Sequence, residues 1–221
     1  MNTDPVNPFA SSVPVGKPYS LNHRKIQKTG SGPEVIHVYE DILVESNPWI
    51  ELACEEAERS VKTGGGPFGA VLLQIDDETN EVIRYWKDHN HVVEHSDPTA
   101  HAEISVIRAA CHELGVHDLG RIERAQSNMP QRGGTSHCEI YASCEPCPMC
   151  YAAIHWARIP VLVFSATCLD ASGEGVGFSD AEIYDDIRKD HKDRSIRVYQ
   201  AVCNRTLDAF KSWKKAENRK Y

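Results

Sequence analysis

The chain has 221 residues, of which 41% are hydrophobic and 25% are charged, and its formal net charge is −8. A chain of this size and composition buries a core without disulfide staples, which excludes a disordered chain, a collagen-like repeat and a disulfide miniprotein. No apolar run approaches the ~20 residues of a membrane-spanning helix, so we expect no membrane partner. The acidic charge repels phosphate backbones at long range and disfavours nucleic acid as a partner.

The first 35 residues differ in composition from the rest of the chain. Residues 1–35 contain several prolines and no periodic apolar face, which is typical of a polar, flexible extension. They also lack the basic start and apolar core of a secretory signal, so we expect a cytoplasmic protein. Residues 36–221 are predicted to form one domain.

The first half of this domain is predicted to contain two helices and a hairpin. Asn47 followed by Pro48 is a helix start, and apolar residues at helical spacing continue to the glycines at 64–66. Residues 69–75 and 81–86 are apolar runs joined by a polar turn, which predicts a β-hairpin. Asp97-Pro98-Thr99 then opens a second helix, with Ile104, Ile107, Cys111 and Leu114 on one face.

Strands and helices alternate through the second half. We predict strands at 139–143, 160–166 and 196–202, and helices at 148–158, 180–189 and 206–219. Such alternation favours an α/β fold with a largely parallel sheet and helices on both faces. The polar stretch 121–136, with paired glycines, is predicted to be an inserted surface loop.

Two short motifs carry the chemistry of this sequence. His101-Ala102-Glu103 lies at one predicted helix start, and Pro146-Cys147-Pro148-Met149-Cys150 lies at another. Unpaired N–H groups and the positive end of the helix dipole lower the pKa of a thiol there, so Cys147 and Cys150 can bind as thiolates. One imidazole and two thiolates leave a tetrahedral zinc one position for water. Glu103 is close enough to take a proton from that water without binding the metal.

Other interpretations of these cysteines remain open. Cys144 could complete a closed Cys₃His structural site with Cys147, Cys150 and His101, without room for water. Alternatively, the cysteines could be small buried hydrophobes, which would leave Glu103 unexplained.

The combined motifs resemble a known enzyme family. The segment from Asp97 to Glu103, with Ser143-Cys144-Glu145-Pro146-Cys147-Pro148-Met149-Cys150, is similar to the cytidine-deaminase superfamily. More narrowly, the chain resembles the small zinc guanine deaminases of bacteria and their guanosine-deaminating plant relatives. Further matching segments are Gly65 to Ala70, Trp156-Ala157-Arg158, Gly177-Phe178-Ser179-Asp180 and the final tyrosine.

The resemblance implies a fold and a set of site residues. The fold is a three-layer α/β/α sandwich with a mixed five-stranded sheet and helices on both faces. One Zn²⁺ per subunit, with water or hydroxide in its fourth position, is held by His101, Cys147 and Cys150, and Glu103 is the proton shuttle. The residues implied to bind substrate are Asn90, Phe68, Ala102, Asp180, Tyr221, Trp156 and Glu174. Core packing is the alternative for Trp156, and Glu174 is a second candidate acid beside Asp180.

The implied activity is hydrolytic deamination of guanine to xanthine and ammonia, in purine catabolism or salvage. The implied assembly is a homodimer in which residues of about 205–221 are exchanged between subunits. Guanosine is an alternative substrate, because nothing local excludes a ribose. A tRNA adenosine deaminase shares the zinc motif, although the net charge of −8 weighs against it. A structural zinc module without activity is the non-enzymatic alternative, against which the presence of Glu103 counts.

Overall fold

The structure is a computed structural model that describes residues 26–29 and 36–216. Its first element is a small antiparallel sheet of β1 (Ile26–Thr29) and β2 (Ile36–Tyr39), in which Ile26 lies opposite Tyr39. Residues 26–29 of the predicted extension over 1–35 thus pair with the start of the predicted domain, while the flexibility of the extension stays a prediction. The rest of that extension, 1–25 and 30–35, lies outside the described residues.

The chain divides into two compact units, residues 1–178 and 179–221, so the single domain predicted for 36–221 spans both. The described part of the first unit continues after β2 with five helices and five strands. In chain order these are α1 (Pro48–Lys62), β3 (Gly69–Asp76), β4 (Val82–His89), α2 (Val92–His95), α3 (Ala102–Leu114), β5 (Ile122–Glu123), β6 (Thr135–Cys144), α4 (Pro148–Trp156), β7 (Val161–Ala166) and α5 (Cys168–Ala171).

The main sheet has five strands and is mixed, as predicted, but it is not largely parallel. Strand β3 runs antiparallel to both β4 and β6, and β5 runs antiparallel to β6. Only β7 runs parallel to its neighbour β6. The prediction of a largely parallel sheet was wrong because β6 pairs antiparallel with β3 and with β5, and these pairs add to the antiparallel pair of the predicted hairpin.

The stretch predicted as a surface loop, 121–136, instead contributes to the sheet and the core. Ile122 and Glu123 form β5, and the Ile122 side chain is fully buried. Gln131 is also buried and accepts a hydrogen bond from Gln74. The sequence did not predict these contacts, because the stretch is polar and a two-residue strand has almost no apolar periodicity.

Alternate residues of β3 face opposite layers of the fold. Ala70 and Leu72 pack in a core with residues of α3, while Val71 and Leu73 pack in a second core with residues of α1. Since successive side chains of a strand point to opposite faces, α1 and α3 cover the two sides of the sheet. This confirms the predicted three-layer α/β/α sandwich.

The second unit, residues 179–221, contains α6 (Ala181–Arg188), a 3₁₀ turn and α7 (Asp208–Lys215). The two helices predicted at 180–189 and 206–219 are therefore present, but both are shorter than predicted. The predicted strand 196–202 is wrong. Its alternating apolar side chains are exposed, Ile196 and Val202 at 74% each, and among the described residues it has no partner strand to complete a ladder. Within the same described ranges, no helix is both long and apolar enough to cross a membrane.

Candidate active site

Three predicted zinc ligands lie together at the starts of two helices. The Nδ1 atom of His101 lies 3.6 Å from Cys147 Sγ and 3.4 Å from Cys150 Sγ. His101 is the residue that caps the N-terminus of α3, and Cys147 caps the N-terminus of α4. The structure therefore assembles the two sequence motifs into one cluster, as their placement at helix starts predicts.

Local sequence explains why both helices begin there. The Asp97 carboxylate accepts hydrogen bonds from the backbone N–H and hydroxyl of Thr99, which forms the turn that leads into α3. Pro148 is the first residue of α4, where its missing N–H costs nothing. The extended backbone of His101 and Cys147 at the two caps directs the chain into the helices that follow.

The donor set fits a tetrahedral zinc ion. With Zn–N near 2.0–2.1 Å and Zn–S near 2.3 Å, neighbouring ligand atoms lie about 3.6 Å apart, and the observed separations of 3.4 and 3.6 Å agree. Cys144 is not part of this cluster. Its buried Sγ lies 3.7 Å from the carbonyl oxygen of Thr167. The closed Cys₃His arrangement therefore lacks its fourth ligand in this structure.

The ionisable groups of the cluster influence one another strongly. A hydrogen bond with Cys150 and a further one with His101 outweigh burial and lower the pKa of the Cys147 thiol to about 4. The same hydrogen bond, together with burial, raises the pKa of Cys150. A divalent cation bound by both sulfurs as thiolates would replace the thiol protons.

Glu103 lies in the first turn of α3 and is buried, with 7% of its surface exposed. Burial is the main cause that raises the pKa of its carboxyl group. A carboxyl group in this environment, next to the Cys150 thiol, can both accept and return a proton. Glu103 thus lies beside the ligand cluster, and its role as proton shuttle stays a prediction.

Asn90 and Phe68 are held together beside the glycine-rich turn. The backbone N–H of Asn90 donates to the Phe68 carbonyl at 3.0 Å, and the Asn90 Oδ1 accepts from the N–H of Val92 at 3.2 Å. A Cβ atom on Gly66 would lie 3.4 Å from both the Asn90 and Phe68 side chains, so the absence of a side chain there leaves room between them. The next residue, His91, donates its N–H to the carbonyl of Ala100, which places this segment directly beside His101.

Two residues in this region were not predicted. Phe178 packs edge-on against Phe68, with ring centroids 5.0 Å apart, and 45% of its surface is exposed. The sequence offered a signal, because Phe178 belongs to the matching Gly-Phe-x-Asp segment. Ser60 on α1 is fully buried and its hydroxyl donates to the Asn90 carbonyl at 3.3 Å. A lone serine on a helix gives no sequence signal for such a contact.

The remaining predicted substrate residues lie in several separate elements of the chain. Ala102 is fully buried in the core, and Glu174 is exposed. Core packing of Trp156 is wrong, because the side chain is 70% exposed at the end of α4. Asp180 caps the N-terminus of α6 in the second unit. Tyr221 lies outside the described residues, so its predicted role stays a prediction.

Comparison with known proteins places this arrangement in a family. Residues 44–166 match the model of the cytidine and deoxycytidylate deaminase zinc-binding region. The guanine deaminase of Bacillus subtilis is 36% identical over 171 residues, which cover 77% of this chain and 92% of that protein. A crystal structure of that guanine deaminase superimposes with a TM-score of 0.64 at 35% identity and covers 80% of this chain and 99% of the other.

Members of a second branch also match over a shorter length. The tRNA-specific adenosine deaminase of Aquifex aeolicus is 35% identical over 128 residues, which cover 58% of this chain and 69% of that protein. The matched region contains the ligand cluster and Glu103, and the resemblance predicted from the motifs is confirmed. The chain belongs to the cytidine and deoxycytidylate deaminase family of zinc-dependent hydrolases.

Proposed function

We propose that this protein is a guanine deaminase, which hydrolyses guanine to xanthine and ammonia. The observation that carries the proposal is the extent of the match to the Bacillus subtilis guanine deaminase, 92% of whose length is covered. The match to the tRNA-specific adenosine deaminase of Aquifex aeolicus covers 69% of that protein. A free purine also suits a protein with a net charge of −8, since a phosphate backbone would be repelled.

His101, Cys147 and Cys150 would hold one Zn²⁺ per subunit. Bound there, zinc supplies a water molecule whose pKa is lowered toward about 7, which makes a nucleophile available at neutral pH. Thiolate and imidazole are ligands that Zn²⁺ favours and that a hard cation such as Mg²⁺ does not favour. Residues of α3 and α4 keep these donors in place because each helix begins at a ligand.

Glu103 would move the proton. It would accept one proton from the attacking water and donate it to N3 of guanine as C2 becomes tetrahedral. It would then take the remaining proton from the new C2 hydroxyl and pass it to the departing 2-amino group. The carbon–nitrogen bond to that amine breaks as the carbonyl of xanthine forms, so guanine and water give xanthine and ammonia. The nearly complete burial of Glu103 excludes bulk water that would otherwise take the proton.

Asn90 and Phe68 would hold the base. Because the Asn90 Oδ1 already accepts from Val92, its amide group is left to donate to acceptors on the purine. Phe68 supplies an aromatic face for stacking, and its contact with Phe178 fixes the orientation of the ring. Asp180 would contact the amidine side of guanine, with Glu174 as the alternative acid, while Ala102, Trp156 and Tyr221 would complete the pocket.

We also infer a homodimer in which residues of about 205–221 are exchanged between subunits. The second unit supports this inference because its apolar side chains are exposed in the single chain, including Phe210 at 66% and Tyr199 at 84%. Covering such side chains with a second copy would stabilise both. Light scattering should give twice the monomer mass, and deletion of residues 217–221 should lower turnover without loss of zinc if Tyr221 closes the pocket.

The substrate is tested by ammonia release from guanine, guanosine, cytosine, adenine and a tRNA anticodon stem. We expect guanine to give the highest kcat/KM. Guanosine as the preferred substrate would move the protein to the nucleoside branch, and release from the anticodon stem alone would identify a tRNA adenosine deaminase. Release from none of these substrates by zinc-loaded protein would favour a structural zinc module.

A further inference from the structure

A second group of side chains with atoms that could bind a metal ion lies outside the cluster of His101, Cys147 and Cys150. His91, Glu94 and His95 follow the H-x-x-E-H spacing, with two histidines four residues apart at the ends of α2. Histidines at this spacing on one turn of helix face the same side and can share a metal ion. Their imidazole rings are stacked, with centroids 4.8 Å apart and planes inclined by 6°.

The contacts of His91 resemble those of a histidine prepared to bind a metal. Its Nε2 lies 2.7 Å from the Asp88 carboxylate, and its Nδ1 lies 2.7 Å from the Glu94 carboxylate. A metal-binding histidine usually donates its other ring N–H to a carboxylate, which fixes the tautomer. Asp88 can therefore hold the Nε2 proton, and the proton between Nδ1 and the Glu94 carboxylate is the one that a bound cation would replace.

The ligand atoms of His91, Glu94 and His95 all lie within 4.8 Å of one another. Around one zinc or nickel ion they would lie about 3.3 Å apart. Rotation of the exposed Glu94 and His95 side chains closes that difference without moving the backbone, since 67% of the Glu94 side chain is accessible. Water molecules can fill the remaining positions because the group is at the surface.

A neighbouring group, Asp88 with His89 and His91, has the same donors but a less favourable setting. The Nδ1 atom of His89 lies 2.9 Å from the guanidinium of Arg59, which occupies that nitrogen and adds a positive charge. Lys87 and Arg59 are in turn paired with the buried Glu56 behind His89. A cation is thus favoured on the side of His91 that faces α2.

We propose that His91, Glu94 and His95 form a second, exchangeable site for a borderline divalent cation such as Zn²⁺ or Ni²⁺, with Asp88 orienting His91. Imidazole donors suit these ions, and the site lacks the thiolates of the catalytic cluster, so its affinity is lower than that of the first site. The cation would connect the two ends of α2, the helix that follows Asn90.

Protons compete with the cation for this site. Burial opposes protonation of His91, but hydrogen bonds with Asp88 and Glu94 raise its pKa. The groups that face it are Asp88 and His89 of β4 and Glu94 and His95 of α2. A cation on Nδ1 must displace the shared proton, so cation affinity should rise as the pH increases through the raised pKa of His91.

Equilibrium dialysis of the zinc-loaded enzyme against increasing free Zn²⁺, with metal counted by atomic emission, tests the proposal. We expect a second equivalent to bind to the wild type and to be lost in His95→Gln, while the first equivalent is kept in both. His137→Gln is the matched control, because His137 is also paired with a carboxylate, that of Asp77 at 2.6 Å, and should keep both equivalents.

Ring signals in NMR spectra give a second measurement that does not depend on activity. Added Zn²⁺ should shift the His91 and His95 signals of the zinc-loaded wild type together, and Asp88→Asn should weaken the effect. The proposal is overturned if no second equivalent binds at free Zn²⁺ well above the level that fills the first site. It is equally overturned if the second equivalent persists in His95→Gln or if these two signals do not move.

Discussion

Replacement of Tyr39 by phenylalanine tests how the start of the domain supports the loop that carries the ligands. The buried Tyr39 hydroxyl donates to the Glu145 carboxylate at 2.9 Å, and the same carboxylate oxygen accepts the N–H of Cys168 at 3.0 Å. Glu145 lies two residues before the ligand Cys147. Burial and the nearby Glu145 raise the pKa of the Tyr39 hydroxyl, so it stays a donor at neutral pH.

The expected magnitude follows from these contacts. A hydrogen bond to a charged group contributes about 1.5–3 kcal/mol, and Glu145 keeps its second donor, so Tyr39→Phe should lower the free energy of unfolding by that amount. For a protein of this size the loss corresponds to a fall in Tm of about 3–12 °C. Zinc should also be lost faster to a chelator, because the segment before Cys147 is less constrained.

Urea unfolding of Tyr39→Phe and of the control Tyr85→Phe provides the assay. Tyr85 is 48% exposed and its ring packs against Trp49, a contact that phenylalanine keeps. The control should change the free energy of unfolding by less than about 0.5 kcal/mol. If the two variants were equally stable and lost zinc at the same rate, the reasoning about Tyr39 and Glu145 would be refuted.

Three further predictions concern the contact of Ser60 with Asn90, the pH dependence of stability and the metal requirement for activity. Ser60→Ala removes the hydroxyl that donates to the Asn90 carbonyl and should raise KM about two- to tenfold in steady-state kinetics, with kcat little changed; an unchanged KM contradicts it. Burial opposes ionisation of Asp170, but hydrogen bonds with His37 and Thr167 lower its pKa. The resulting stability is present above about pH 4 and is lost as pH falls through the folded value. The difference in unfolding free energy between wild type and Asp170→Asn should therefore become smaller from pH 7 to pH 3 in urea titrations. A constant difference would show that ionised Asp170 does not contribute to stability. A zinc chelator should abolish ammonia release, and Zn²⁺ but not Mg²⁺ should restore it, unless the activity needs no metal.

The sequence predicted that His101, Cys147 and Cys150 lie together, and the structure shows this arrangement, because each lies in a short local motif. Each ligand lies at a helix start marked by proline or by a polar turn, so the positions of His101, Cys147 and Cys150 follow from short-range rules. The hairpin of β3 and β4 and the helices α1, α3 and α4 were predicted for the same reason. Their apolar periodicity and capping residues are contained within single segments.

Features that depend on distant contacts were predicted poorly. The alternation of apolar residues at 196–202 predicts a strand, but a strand also needs a partner, which sequence periodicity does not supply. Ile122 is buried only because β5 pairs with β6. The pairing of β1 with β2 joins a proline-rich segment to the domain, and composition alone does not indicate such a ladder.

Glu103 is proposed to move the proton in a zinc-dependent deamination of guanine. The most direct test is the rate of ammonia release from guanine by Glu103→Gln, measured together with its zinc content. We expect one zinc per subunit and a loss of about 10²–10⁴-fold in kcat, while Glu58→Gln, a change at an exposed position of α1, keeps the wild-type rate. A zinc-loaded Glu103→Gln enzyme that deaminates guanine at the wild-type rate would show that Glu103 does not move the proton.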